Sequence, residues 1–398
     1  MKVVSKMKIL YVVSRAIQIN SSSSIRNLSL IKGLTILGHD VTVLSSMYDK
    51  NHMGYDVNLE PQNVKQIFIK VGGIQKIASL SRKYKRYKIL RQYGNKIVNF
   101  LSVYDNLKGI IKHMEQIDIT DNMYDLIISS SDPKSSHLFV YKLYQKGSLR
   151  DTPWVQIWGD PFSADITRNS KLYKWRAKLE EKRLLGKATW SVYVSKLTLE
   201  AQKRRYFQYS DKMIFCAPGY VKEKEYQVKE ITGIPKIVYC GNYSSKARNL
   251  LPFYRAMLKT QYNVVICGNG DISIENTEHI ILRERSSFEE VEHIEEDADV
   301  LVYLCNKKGS QIPGKIYQYL GTTKYILFIL DGEIDNIKKI FEPYARFVFC
   351  KNTEEDILDK LDKIFKGQYQ HMQFVVKEFS PESRALDLMC QIGYENEY

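Results

Sequence analysis

From Ile237 onward the chain alternates short, largely apolar runs with stretches of helical composition, and this rhythm limits the folds open to it. The runs are Ile237–Cys240, Val264–Cys267, His279–Leu282, Val300–Leu304, Tyr325–Leu330 and Arg346–Cys350. Helical stretches near Leu250–Lys259, Phe288–Asp297, Lys315–Leu320, Ile334–Phe341 and Thr353–Phe365 separate them. A strand that is apolar along its whole length must be covered on both faces, and a parallel sheet with helices on either side does that. The expected class is therefore α/β with a parallel sheet.

The N-terminal half repeats the plan less regularly. Lys8–Val13, Val41–Leu44, Val64–Ile69, Leu126–Ser129, Trp154–Trp158 and Trp190–Val194 read as strands, and Ser24–Leu37 and Leu179–Leu185 as helices. The first strand, loop and helix, closed by Gly38-His39-Asp40 and Val41–Leu44, make one right-handed βαβ unit. A chain of 398 residues holds about two such domains. The boundary is expected near Ala217-Pro218-Gly219, giving domains over 1–216 and 217–379, with Lys222–Gly233 as a linker. Ser380-Pro381-Glu382 then starts a terminal helix over 380–398, with Ser as cap and Pro in the first turn, expected to pack back on the first domain.

Hydrophobic content of 44% and charged content of 26% are those of a soluble globular protein. No apolar run approaches the ~18–20 residues of a membrane span, and Ile9–Val13 is too short for a signal-peptide core. The six cysteines form no C-x-x-C pair, and four of them, Cys240, Cys267, Cys305 and Cys350, sit in or at the ends of strands. They read as buried thiols in a reducing compartment, with no disulfide framework and no metal site. A cytoplasmic location is expected.

The net charge of +14 is concentrated in the first half. Residues 1–216 hold 36 Lys+Arg against 17 Asp+Glu, whereas 217–398 hold 23 against 28. Arg82-Lys83-Tyr84-Lys85-Arg86-Tyr87-Lys88 opens an amphipathic pattern whose stripe is Ile89/Leu90, Tyr93, Ile97/Val98, Leu101 and Tyr104. Such a segment suits an anionic membrane surface, a peripheral association with the inner face. A solvated basic face above a core stripe gives the same pattern. No RNA-binding aromatic motif, helix-turn-helix spacing or zinc pattern accompanies the charge, so nucleic acid is not expected as a partner.

Chemistry is expected at three loops that follow strands of the second sheet. Gly241-Asn242-Tyr243-Ser244-Ser245-Lys246-Ala247-Arg248 follows the first; its small residues let backbone N–H groups near an oxygen-rich ligand, and Arg248 can grip a phosphate bidentately. Gly268-Asn269-Gly270 follows the next, and its glycines allow close approach or simply a turn. The third is Ile312-Pro313-Gly314-Lys315-Ile316-Tyr317-Gln318-Tyr319, where a helix opens with Lys315 in its first turn. A helix N-terminus at the carboxyl edge of a parallel sheet suits phosphate, although an ordinary crossover with a solvated lysine reads alike. In the first half, Asp160 in Trp158-Gly159-Asp160-Pro161-Phe162 is a candidate base or an N-cap. His137 and Arg26 are further candidates, for catalysis and for phosphate.

With these motifs the chain resembles the retaining GT-B glycosyltransferases, the family 4-like group with bacterial surface-polysaccharide enzymes. The resemblance runs from Lys8-Ile9-Leu10-Tyr11-Val12-Val13-Ser14 through Gly38-His39-Asp40-Val41-Thr42-Val43 to Tyr239-Cys240-Gly241-Asn242, Gly268-Asn269-Gly270 and the Pro-Gly-Lys helix. It implies two Rossmann-like domains facing across a cleft, a nucleotide-diphosphate sugar (UDP- or GDP-linked) on the second and a glycan or lipid-linked acceptor on the first. It also implies retention, with no metal and no other cofactor. Arg248 and Lys315 would hold the diphosphate, Gln318 would face the ribose, and Asn242, Gly268 and Ser24 would complete the donor site. Where the family carries two glutamates eight positions apart, this chain has Ser310 and Gln318, and Asn20-Ser21-Ser22-Ser23-Ser24 replaces the usual glycine pair. Those departures leave room for a non-catalytic subunit of the same fold.

Overall fold

The computed structural model describes residues 6–52, 54–70, 103–164, 170–227, 231, 233–308 and 311–394. The basic stretch Arg82–Lys88 and Ser310 lie outside them. The chain forms two compact units, Met1–Ala217 with Ala385–Tyr398, and Pro218–Arg384.

The first unit is built on a parallel sheet in the order β3-β2-β1-β4-β5-β6-β7. Its strands are β1 Lys8–Val12, β2 Asp40–Ser46, β3 Lys65–Ile69, β4 Leu126–Ser130, β5 Trp154–Trp158, β6 Trp190–Tyr193 and β7 Met213–Phe215. The central strands β4 and β5 are buried at every residue, and apart from Ser129, Ser130 and Gln156 they are apolar. Helices α1 Ser22–Ile36, α2 Ser135–Gln145, α3 Lys171–Lys187 and α4 Lys196–Arg205 cover the sheet. Ser21, Ser170 and Ser195 cap α1, α3 and α4 by accepting backbone N–H groups of the first turn.

The second unit repeats the design with strands ordered β10-β9-β8-β11-β12-β13. These are β8 Lys236–Cys240, β9 Asn263–Cys267, β10 Ile280–Arg283, β11 Val300–Leu304, β12 Tyr325–Leu330 and β13 Val348–Lys351, all parallel. Its helices are α5 Leu251–Leu258, α6 Phe288–Glu296, α7 Lys315–Tyr319, α8 Ile334–Phe341 and α9 Glu354–Phe365. The terminal helix α10, Pro381–Gln391, begins in the second unit and ends in the first. There the Gln391 amide donates to the Phe215 carbonyl at 2.9 Å, and Tyr394 meets the Trp190 ring edge-on. All six cysteines are free thiols; five are buried and Cys390 is half-buried. No helix among the described residues is long and apolar enough to cross a membrane.

Candidate functional site

The strand order of each sheet reverses direction once, and ligands of open α/β sheets bind at the carboxyl ends beside that point. In the second unit it falls between β8 and β11. From β8 the chain proceeds outward to β9 and β10, and from β11 outward the other way to β12 and β13. The loops after β8, β9 and β11 therefore meet at one edge. Gly241 N–H donates to the Cys267 carbonyl and Tyr243 N–H to that of Asn269, which zips the first two loops together. The Asn242 side chain accepts from Asn269 N–H at 3.2 Å, and Ser245 N–H donates to Asp271 at 2.7 Å. Gly268, at φ +151°, lies so near the Gly241 carbonyl that any side chain would overlap it. Just below, Cys267 Sγ donates to the Glu284 carbonyl at 3.3 Å, and the neighbouring Cys240 thiol holds Cys267 down at about 6 despite its burial.

Arg248 ties this pair of loops to the third. Its Nη1 donates to the Asn242 carbonyl at 3.0 Å, while Nε and Nη2 both donate to Asn306 Oδ1 at 3.3 and 3.1 Å. Asn306 in turn donates to the Gln311 carbonyl at 3.1 Å, so the segment leading to α7 is anchored through one asparagine. Three of the five guanidinium N–H bonds are thus engaged, and the Tyr239 hydroxyl lies against the same guanidinium.

Lys315 is less mobile than its sequence position suggests. Its ammonium pairs with Glu295 of α6 at 2.6 Å and lies over the Tyr319 ring. Burial disfavours the charge, but the Glu295 carboxylate outweighs that and holds Lys315 above the ordinary lysine value. The helix it opens has only five residues and no side-chain cap, so its N-terminal potential is that of little more than one turn. An anion reaching Lys315 must share it with Glu295.

The structure gives Gln318, expected to face a ribose, two backbone partners. Its side chain is spent on the backbone after Pro218: Val221 N–H donates to Oε1 and Nε2 donates to the Gly219 carbonyl, each at 3.0 Å. A carboxylate here would set an oxygen against the Gly219 carbonyl. Gln318→Glu is therefore expected to lower stability by roughly 1–2 kcal/mol, read as a drop in melting temperature, without changing nucleotide affinity. A Gln318→Glu protein that melts like the wild type while its nucleotide affinity changes would support the ribose assignment.

In the first unit the reversal falls between β1 and β4. The residues beyond these strands are small and buried. Ser14 N–H donates to Ser136 Oγ at 2.9 Å, and the Tyr11 and Ser130 hydroxyls converge on Asn27 Oδ1. Arg26 donates to the Ser131 carbonyl, and its guanidinium packs against Gly159, where a side chain would collide with it. That contact makes Arg26 a brace of the β4 and β5 loops. Ser24, expected in the donor site, is 3% exposed and its hydroxyl donates to the Ile19 carbonyl at 2.6 Å at the start of α1. His137 is another candidate of this unit. Its ring is fully buried against Trp158, with Nδ1 bonded to Ser129 Oγ at 2.7 Å. Burial depresses it to about 3, so it is neutral at physiological pH and out of reach of substrate.

Asp160 is half-buried and sits in a loop pinned on both sides. Before it, Gly159 N–H donates to Ser131 Oγ at 3.0 Å. After it, Phe162 and Ser163 N–H donate to the two oxygens of Glu181, at 3.0 and 3.1 Å. Glu181, on α3, is fully buried and also accepts from the Ser163 hydroxyl, Tyr206 hydroxyl and Gln202 amide. Residues 161–164 are not helical, so Asp160 does not cap a helix there.

Asn306, Glu295 and Glu181 are the residues that sequence reasoning missed. Only Asn306 carried a signal, two residues past β11 on the reversal edge.

No known protein family and no curated protein matches the chain by sequence. Solved structures do match along nearly its whole length. The catalytic domain of starch synthase IV from Arabidopsis thaliana, bound to ADP and acarbose, superposes with a TM-score of 0.64 at 10% identity, covering 98% of this chain and 99% of that one. A putative UDP-N-acetylglucosamine 2-epimerase from Listeria monocytogenes gives 0.53 at 10% identity, covering 98% and 96%. A lipopolysaccharide outer core galactosyltransferase gives 0.52 at 12% identity, covering 96% and 98%. The chain has the GT-B fold. In the second unit the reversal edge carries Arg248, Asn242 and Lys315; in the first, Asp160 follows β5, one strand beyond the reversal between β1 and β4.

Proposed function

We propose that this protein is a glycosyltransferase that moves a sugar from a UDP- or GDP-linked donor to a glycan or lipid-linked acceptor, with retention, in cell-surface polysaccharide synthesis. The observation that carries the reading is the convergence of three loops on Arg248 at the reversal edge of the second unit. Backbone amides of small residues, the Arg248 guanidinium and a neighbouring lysine form a set suited to a diphosphate. In the reaction the anomeric carbon–oxygen bond to the diphosphate breaks, the acceptor oxygen bonds to that carbon, and the acceptor proton leaves. We assign Asp160 to orient the acceptor hydroxyl and take that proton, since its loop is held at both ends. Arg248 and Lys315 stabilise the departing nucleoside diphosphate, with Lys315 shared with Glu295.

The similarity to a UDP-N-acetylglucosamine 2-epimerase favours one other reading, isomerisation of the nucleotide sugar itself. The two separate in a single experiment. A thermal-shift screen with UDP, GDP, ADP and CMP identifies the nucleotide, since saturation at 100 times Kd adds about 2.7 kcal/mol. The matching nucleotide sugars are then incubated without acceptor and followed by proton NMR. An epimerase converts the sugar with no acceptor present, whereas a transferase leaves it intact until acceptor is added. Absence of binding to any of the four nucleotides would remove both readings and leave a non-catalytic subunit of the same fold.

A further inference from the structure

Helix α3 buries one side and exposes another that is also apolar. Ala177, Glu181, Leu184 and Leu185 face the interior. At about 100° per residue, Leu172, Trp175 and Leu179 fall on one stripe nearly opposite. They are 46%, 61% and 51% exposed. Spacing of three and four residues makes the three side chains adjacent on the surface. Among the described residues they take no part in the core cluster, which this helix joins through Ala177, Leu184 and Leu185.

The charges flanking this stripe all have one sign. The helix carries Lys171, Lys174, Arg176, Lys178, Lys182, Arg183 and Lys187 against two acids. Neither acid offsets them at the surface. Glu181 is buried under five hydrogen-bond donors, and Glu180 is half-buried, accepting from the Tyr104 hydroxyl at 2.8 Å and pairing with Arg183. Lys171, Lys174, Lys178 and Lys182 are exposed beside the stripe, while Arg183 and Lys187 lie over the rings of Tyr141 and Tyr144. An exposed Leu–Trp–Leu stripe edged by lysines is the arrangement of a helix that rests in a bilayer interface, with Trp at headgroup depth.

We propose that the outer face of α3 docks on an anionic lipid bilayer. The occupant follows from charge complementarity, since the apolar stripe supplies insertion and the lysine row supplies attraction to acidic headgroups. This inference does not rest on the transfer reaction. It also differs from the surface that the sequence suggested at Arg82–Lys88, because it stands on described and exposed side chains.

Tryptophan fluorescence of the full chain tests it. Trp154 and Trp158 are fully buried and Trp190 is half-buried, so Trp175 is the indole most open to a change of medium. Vesicles of phosphatidylcholine with phosphatidylglycerol should shift its emission to the blue and carry the protein into the pellet. Pure phosphatidylcholine should do neither, and rising salt should release the protein because exposed charges are screened within about 8–10 Å. Trp175→Ala with Leu172→Ser, and separately Lys171, Lys174, Lys178 and Lys182 to Gln, should each weaken vesicle binding by about tenfold or more while melting stays unchanged. Failure of the wild type to pellet at low salt overturns the proposal. So does pelleting that both variants retain, which would place the membrane contact elsewhere. A wild type that elutes as a dimer and becomes monomeric on Trp175→Ala, without vesicle binding, would assign the stripe to a second copy of the chain.

Discussion

Replacing Glu181 by alanine should unfold the first unit far more easily. The carboxylate is buried and receives five donors: Phe162 N–H and Gln202 Nε2 on one oxygen, and Ser163 N–H, Ser163 Oγ and Tyr206 Oη on the other. A hydroxyl can turn to a new acceptor, but two consecutive backbone N–H groups cannot. Each donor left unpaired in the interior costs about 1–3 kcal/mol, and the side chain also leaves a cavity under the loop. A loss of roughly 3–5 kcal/mol is expected, equivalent to a fall near 10 °C in the calorimetric transition of that unit. Glu181→Gln should lose less, roughly 1–3 kcal/mol, because whichever oxygen becomes NH₂ still faces one backbone N–H. An alanine variant that melts within about 2 °C of the wild type would show that the loop carrying Asp160 is held by something else. Calorimetry reads this whether or not the protein transfers a sugar.

Much of the fold was legible because sheet centres must be apolar. Trp154–Trp158, Val300–Leu304 and Tyr325–Leu330 are strands with the bounds their sequences suggest, and each is buried at every residue. The edges were harder. Met213–Phe215 is a three-residue edge strand, too short to show a period. The run taken to start at Arg346 pairs only from Val348, since Arg346 is buried with its guanidinium on the carbonyls of Thr322, Lys324 and Phe374. Helix Ser135–Gln145 has polar residues on its buried side, Ser135, Ser136 and His137, so no polar face marked it. Lys171–Lys187 read as Leu179–Leu185 because its first turns carry their apolar residues outward, against the pattern of a core helix.

The site was legible at the level of loops and not of partners. Strand ends and small residues pointed to Gly241–Arg248, Gly268 and Lys315, because those depend on local chain order. What each side chain touches depends on elements distant in sequence. Lys315 meets Glu295 from another helix, and Gln318 meets Gly219 and Val221, 99 and 97 positions away. No motif spacing reports such meetings, nor the backbone partners that Gln318 and Ser24 hold.

Arg248→Ala should weaken nucleoside-diphosphate binding by roughly 10- to 100-fold, the largest effect expected of any single change in the second unit. Two losses combine. The guanidinium bonds both the β8 loop, at the Asn242 carbonyl, and the β11 loop, at Asn306, beside a second link from Lys307 to the Ser245 carbonyl. Its N–H groups are also charged donors, and a charge-assisted hydrogen bond contributes about 1.5–3 kcal/mol. Arg248→Lys keeps the charge but not the fork, so it cannot hold Asn306 and a phosphate together; it should recover only a small part of the affinity. Asn306→Ala removes the support and leaves the cation, and should fall between wild type and Arg248→Ala. Stability should change little in all three, because Arg248 is half-buried in a surface loop outside the core cluster. Calorimetric titration with UDP and GDP reads the series. An Arg248→Ala protein that binds like the wild type would move the diphosphate away from this edge, even if transfer itself were observed. Equal losses for Arg248→Lys and Arg248→Ala, with Asn306→Ala unaffected, would instead mean that Arg248 acts on the phosphate alone and that the loops need no brace.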